Sequence, residues 1–116
     1  MMQLYIQRKF AAAHYLPDHP GKCKNLHGHT WKVEVWMKGE VDPKTGMVFD
    51  FGKVKRVIDL LDHTSLNLSL LPEYFPPTAE NLVKYFLKKI PKAYRVRVWE
   101  SENAYAEDWR DDDAWI

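Results

Sequence analysis

The chain has a single cysteine, Cys23, in 116 residues. No intrachain disulfide can form, so the fold must hold without covalent staples, and a reducing compartment such as the cytoplasm is expected. Net charge is nearly absent: seventeen lysines and arginines face sixteen aspartates and glutamates, leaving a formal charge of +1. That balance argues against a general nucleic-acid binder, whose surface would be strongly basic. No apolar run approaches the ~18 residues of a membrane-spanning helix. The start, Met1 to Lys9, lacks the apolar stretch of a secretory leader. Internal repeats and low-complexity segments are missing as well. The expectation is one domain over 1–116, cytoplasmic, with no nucleic acid and no membrane as partner. A chain this short buries a limited share of its own surface, which favours self-association.

What the chain does have is a concentration of metal-ligating side chains. Cys23-Lys24-Asn25-Leu26-His27-Gly28-His29 places a thiol and two imidazoles within one short stretch. If a strand opens here, His27 and His29 point to the same side, because strand side chains alternate. Two neutral imidazoles are half of a tetrahedral zinc site, and His14 upstream offers a third. Three histidines with one open position is the layout of a catalytic zinc. Gly28 between them is expected to leave room for metal and substrate. Cys23 has two readings: a fourth ligand that closes the site, or a thiolate base or nucleophile beside the metal. Taken singly, each histidine could be an ordinary packed or surface residue; the combination is harder to dismiss. His19, in Asp18-His19-Pro20, has no such support and is read as a loop residue.

The remaining pattern places these residues on elements. Leu4 to Tyr15 reads as a strand with Leu4, Ile6, Arg8, Phe10, Ala12 and His14 on one face. His29 to Lys38 is the clearest strand, with Trp31, Val33, Val35 and Met37 on one face and Lys32, Glu34, Trp36 and Lys38 on the other. Asp50 is a good N-cap for a helix over Gly52 to Asp62 with an apolar stripe of Val54, Val57, Ile58 and Leu61. Thr64 to Pro77 reads as irregular. Thr78 caps a second helix that Pro91 stops. Ala93 to Glu100 and Ala104 to Trp109 are further strands, joined by a short hairpin connection. Tyr94, Val96, Val98 and Glu100 are expected on one face. The order ββααββ predicts an α+β fold: a four-stranded antiparallel sheet with two helices on one face.

Two more constellations carry chemistry. Asp62-His63 is the form of a proton-transfer unit, in which a carboxylate fixes the imidazole tautomer. Adjacent side chains rarely hydrogen-bond to each other, and a histidine at a helix end also has the plain role of complementing the dipole. Glu100 is a carboxylate on an otherwise apolar strand face. It either anchors a flat group with two donors or is a strand-end charge reaching water.

These residues together resemble the 6-pyruvoyltetrahydropterin synthase superfamily, most closely its carboxy-forming branch in queuosine biosynthesis. The resemblance runs from Phe10-Ala11-Ala12-Ala13-His14 to Tyr105-Ala106-Glu107. It rests on Cys23-x3-His27-Gly28-His29, Asp50-Phe51-Gly52, Leu61-Asp62-His63, Pro77-Thr78-Ala79-Glu80-Asn81 and Val98-Trp99-Glu100. The three residues between Cys23 and His27 are similar to that branch; the pyruvoyl-forming animal enzymes have a longer gap, and a folate-pathway branch has glutamate in place of the cysteine. The resemblance implies the T-fold, whose subunits form trimeric barrels that stack into hexamers. It implies zinc on His14, His27 and His29, and Cys23 as catalytic base rather than ligand. It implies Asp62 and His63 as the partner acid–base pair reaching in from a neighbouring subunit. Glu100 would hold the pterin ring, with Thr78 lining the pocket and Asp50 and Phe51 nearby. The implied reaction converts 7,8-dihydroneopterin triphosphate to 6-carboxy-5,6,7,8-tetrahydropterin, releasing acetaldehyde and triphosphate, with Lys22 or Lys24 attracting the triphosphate. Rivals are a sister enzyme yielding 6-pyruvoyltetrahydropterin or a cleaved side chain, and a non-enzymatic zinc-stapled interaction module.

The sheet face left without helices carries Trp36, Trp99 and several cations, and open sheet edges invite pairing with copies of the same chain. Light scattering at micromolar concentration is expected to give a mass well above the 13.7 kDa of one chain; a clean monomer mass would remove the homo-oligomer.

Overall fold

The computed structural model describes residues 1–110; the acidic Asp111-Asp112-Asp113, expected to be a solvated tail, lies outside them. Period-two alternation builds the first two strands. β1 (Met2–His14) and β2 (His27–Gly39) pair antiparallel over their full length, from Met2 opposite Gly39 to His14 opposite His27. β2 therefore opens at His27 rather than His29, and both of its histidines are strand residues. After β2 the chain forms α1 (Phe51–Asp59), the two-residue β3 (Thr64–Ser65), the single-turn α2 (Leu66–Ser69) and α3 (Ala79–Lys89). β4 (Ala93–Ser101) then pairs antiparallel with β2, and β5 (Ala104–Trp109) with β4.

The sheet order is β3-β1-β2-β4-β5, with β3 parallel to β1 at Ala12 and Ala13. The expected four-stranded antiparallel sheet is thus corrected to a five-stranded mixed one. The reason for the miss is physical: β3 pairs through two residues only, too few for any alternation to register. α1 also stops at Asp59 rather than Asp62, because the chain turns there to bring Asp62 and His63 against Ala11 of β1.

Both expected helix caps are made. Asp50 Oδ1 accepts from Gly52 N at 2.8 Å, and Thr78 Oγ1 accepts from Asn81 N at 3.2 Å. The apolar stripes of α1 and α3 pack Val54, Ile58, Leu82, Phe86 and Ile90 onto Phe10, Trp31, Val33, Val35, Val96 and Val98 of the sheet. One alternation breaks. Trp36 lies opposite Arg95 but Met37 opposite Ala93, so Tyr94 is the extra residue of a β-bulge. Ala93 takes the core position, and Tyr94, expected to share a face with Val96, instead donates through its hydroxyl to Gln3 Oε1.

The face without helices is not bare. Glu34, in mid-strand, is buried at 8% exposure there. It accepts hydrogen bonds from the Tyr5 hydroxyl and from Trp99 Nε1, with Arg97 Nη1 3.6 Å away. Arg95 and Arg97 hold Glu107, and the Arg95 guanidinium stacks 4.2 Å from the Trp36 ring centre. Burial alone would raise the Glu34 carboxyl, but the bonds from Tyr5 and Trp99 and the charges of Arg97 and Lys32 outweigh it and hold the group below its ordinary value. Burial and the facing carboxylate push the Tyr5 hydroxyl up to about 12, so it remains a donor.

A depressed carboxylate contributes stability above its unfolded value that is lost as pH falls toward the folded one. Glu34→Gln turns one acceptor into a donor facing donors and is expected to cost about 1–3 kcal/mol at neutral pH. In thermal melts the gap between parent and variant should narrow as pH falls below the ordinary 4.5. A gap that stays constant down to acid would deny the carboxylate this role.

Candidate active site

Strand geometry places the three histidines. His14 closes β1 directly opposite His27, which opens β2, and Ala12 faces His29. His27 and His29 share a face by alternation, and His14 joins them across the strand pair. The ring centres lie 4.5 Å (His14 to His27), 5.1 Å (His14 to His29) and 4.9 Å (His27 to His29) apart. One nitrogen of each lies within 4.8 Å of the others. Trp31, fully buried, forms the floor, its ring centre 5.0 Å from His14 and 5.3 Å from His29.

Hydrogen bonding aims the rings. His14 Nδ1 is 2.7 Å from the carbonyl of Pro77, and His27 Nδ1 is 2.7 Å from that of Asn25. A carbonyl can only accept, so both Nδ1 atoms carry the proton and both Nε2 atoms are left as lone-pair donors. Nε2 of His14 and of His29 are buried without a hydrogen-bond partner. Buried polar atoms are rarely left so, and three converging imidazole nitrogens, two of them bare, suit a divalent cation. Burial lowers the proton affinity of His14 and, against the pull of Glu100, of His29, which keeps both neutral and ready to ligate. The triad fits a metal ion.

Glu100 belongs to the same site. Its Oε1 is 3.7 Å from His29 Nε2. It lines a cavity of about 230 Å³ with Ala79, Glu80, Tyr105 and Ala106, at the start of α3. Thr78 spends its hydroxyl on capping α3 and lines a neighbouring cavity of about 220 Å³ with Leu16, His19 and Phe75.

Asp62 and His63 do pair. His63 adopts φ 59°, the left-handed region, and its Nδ1 is 2.9 Å from Asp62 Oδ2. The other carboxylate oxygen accepts from Ala11 N at 2.8 Å. That bond, followed by the one from His63, holds the Asp62 carboxyl below its ordinary value. The His63 side chain is 82% exposed and stands at the outer edge of β1.

Cys23 sits half-buried in a single 3₁₀ turn, Lys22–Lys24, as a free thiol. Among the described residues, the group able to hold a metal comprises the three histidines without Cys23. Asp50 is committed to its cap and Phe51 is exposed at the start of α1. Among the described residues, no hydrogen bond or ring contact joins either to the triad. Gly28 does not make room at the site: it faces the opposite side of β2, where an added Cβ would meet only the Ala12 carbonyl at 4.0 Å. Sequence reasoning missed the carbonyls of Pro77 and Asn25 and the side chain of Asn67, which accepts from Tyr15 N and donates to Tyr15 O, both at 2.9 Å. The carbonyls carry no side-chain signal. Asn67 does show as the one polar residue in Leu66-Asn67-Leu68.

Titration of the metal-free chain with cobalt(II) is expected to saturate at one ion per chain, with a tetrahedral-type visible absorption band. His14→Ala should abolish both. A featureless titration of the parent would refute the site.

Comparison with known proteins follows the same outline. The family model described as 6-pyruvoyl tetrahydropterin synthase matches residues 3–111. A provisionally named 6-carboxy-5,6,7,8-tetrahydropterin synthase of Archaeoglobus fulgidus is 40% identical over 114 residues, covering 91% of this chain and 94% of its own. The 6-carboxy-5,6,7,8-tetrahydropterin synthase of a Synechocystis species is 37% identical over 102 residues, covering 80% and 78%. The solved 6-pyruvoyl tetrahydropterin synthase of Caenorhabditis elegans superposes with a TM-score of 0.74 at 29% identity, covering 95% of this chain and 96% of that one. Fold and matched span agree, and the chain belongs to the 6-pyruvoyl tetrahydropterin synthase family, with that family's T-fold subunit.

Proposed function

We propose that the protein is the carboxy-forming member of its family, a 6-carboxy-5,6,7,8-tetrahydropterin synthase. It converts 7,8-dihydroneopterin triphosphate and one water to 6-carboxytetrahydropterin, acetaldehyde and triphosphate, and serves queuosine biosynthesis in the cytoplasm. The observation that carries the reading is the convergence of three imidazole nitrogens within 4.8 Å, those of His14 and His29 buried without a partner, beside a carboxylate that lines a cavity. The names of the Archaeoglobus and Synechocystis relatives support the branch.

His14, His27 and His29 would hold zinc, which supplies Lewis acidity toward the substrate's side-chain hydroxyls and the protons beside them. Glu100 accepts the paired N–H donors of the pterin ring and sets its distance from the triad, a charge-assisted contact with two fixed bonds. Cys23, on its short turn between Lys22 and Lys24, takes a proton as the thiolate. Asp62 holds His63 with Nδ1 protonated, so that Nε2 is the atom that gives or takes a second proton. The exposed position of His63 on the outer edge of β1 suits delivery into a neighbouring subunit's site, as in a trimer or hexamer. Thr78 orders the start of α3 beside the cavity; Asp50 and Phe51 are assigned to substrate binding on the family motif alone.

Incubation of purified protein with 7,8-dihydroneopterin triphosphate is expected to release acetaldehyde and triphosphate together. Product at the mass of 6-pyruvoyltetrahydropterin would move the chain to the sister branch, and no turnover with unfolding on chelation would make it a zinc-stapled module. Cys23→Ala is expected to keep one metal per chain and lose about 10²–10⁴-fold in kcat. Metal lost in that variant would make Cys23 a ligand. Glu100→Gln should raise the Michaelis constant about tenfold or more, because one acceptor becomes a donor facing donors.

A further inference from the structure

The outer edge of β1 beside His14 is closed by one short segment, Asp62 to Asn67. Ala11 gives its N–H to Asp62 Oδ1, and its carbonyl accepts from His63 N at 2.6 Å. Ala12 and Ala13 then pair with Thr64 and Ser65 of β3. After Ser65 the backbone turns into α2 and can no longer follow β1. The ladder nevertheless runs on to Tyr15, because the Asn67 side chain takes over. A carboxamide carries an acceptor and a donor side by side, as a peptide unit does. Asn67 Oδ1 accepts from Tyr15 N and Nδ2 donates to Tyr15 O, each at 2.9 Å, and the residue is only 4% exposed.

Tyr15 directly follows His14, the residue whose ring turns into the site. β2 pairing holds His14 from one side, the Pro77 carbonyl fixes its ring, and the Asn67 amide ties the next residue, Tyr15, from the other side. We propose that Asn67 is a positioning residue of the metal centre: it pins the Tyr15 backbone so that His14 Nε2 meets His27 and His29. This rests on the triad holding a divalent cation, not on the reaction catalysed. The same segment carries Asp62 and His63, so one strap fixes both the ligand strand and the proton-transfer pair.

The test compares the full chain with Asn67→Asp, Asn67→Leu and Met37→Ala. Asn67→Asp keeps the shape but sets a second acceptor against the Tyr15 carbonyl. Asn67→Leu removes both bonds at similar volume. Met37 is fully buried at the far end of β2, so Met37→Ala lowers stability without touching the strap. Cobalt(II) affinity is read by competition with a chromophoric chelator, together with the visible absorption band and the Tm of the metal-free form. Both Asn67 variants are expected to bind cobalt about ten- to a hundredfold more weakly, with a shifted band, while Met37→Ala keeps the parent's affinity and band. Equal affinity in the Asn67 variants, or an equal loss in Met37→Ala at matched Tm, overturns the proposal.

A second measurement needs no variant. Coupling is reciprocal, so a tie that favours metal binding must itself be strengthened by it. Cobalt should slow hydrogen exchange at the Tyr15 amide more than at the Glu107 amide on β5. No difference between the two sites overturns the proposal. A parent that binds no cobalt at all defeats the metal centre itself and is thereby told apart from a failure of Asn67 alone.

Discussion

The antiparallel register of β1 on β2 is the constraint from which the site follows. His14 and His27 can share a ligand position only because they face each other at the end of a long uninterrupted ladder. A slip of β1 by one residue would turn every one of its side chains to the other face, burying Lys9 and exposing Phe10. The apolar face therefore fixes the register, and the register delivers the imidazoles. Trp31 ties the two requirements together: it belongs to the core, its indole N–H donates to the Ala12 carbonyl at 3.3 Å, and its ring supports two of the three histidines.

Around the triad, backbone carbonyls do the fine positioning. Pro77 reaches His14 from 63 positions away and Asn25 reaches His27 from two, and each fixes a proton on Nδ1 and so exposes Nε2. The price of this preorganisation is buried nitrogen without a partner, which the protein tolerates because burial also keeps the rings neutral. Glu100 enters from β4, two strands away from β1, and brings a carboxylate to the edge of the same cluster. The sheet thus gathers the three imidazoles and the Glu100 carboxylate without relying on a loop for any of them, while Cys23 stands on a single 3₁₀ turn.

The two faces of the sheet divide the work. One packs the helices and, at its end, turns into the site. The other carries a layer of paired charges and rings, with Glu34 at its centre and arginines stacked on Trp36 and Tyr105. Because Glu34 and Glu107 are paired with Trp99, Arg95 and Arg97 within that layer, the face is structured without helices over it. The bulge at Tyr94 serves this layer, since it frees the tyrosine to reach Gln3 and gives the core position to Ala93.

Much of this was legible beforehand, where a local rule applied. His-x-His on a strand, the caps at Asp50 and Thr78, the apolar stripes of both long helices and the alternation of β2 are all consequences of short-range periodicity. The ordered set of motifs also pointed to the family that the comparisons bear out. What stayed hidden depends on residues that meet only after folding. β3 is too short to show a period, and the bulge at Tyr94 breaks one. The Asp62–His63 contact needs a left-handed His63, and the Asn67 clamp needs α2 to turn away from β1. The chain by itself determined which side chains are available as ligands, acids and bases. Only the tertiary structure decided their partners, because a hydrogen bond between residues fifty positions apart leaves no mark on the spacing of either.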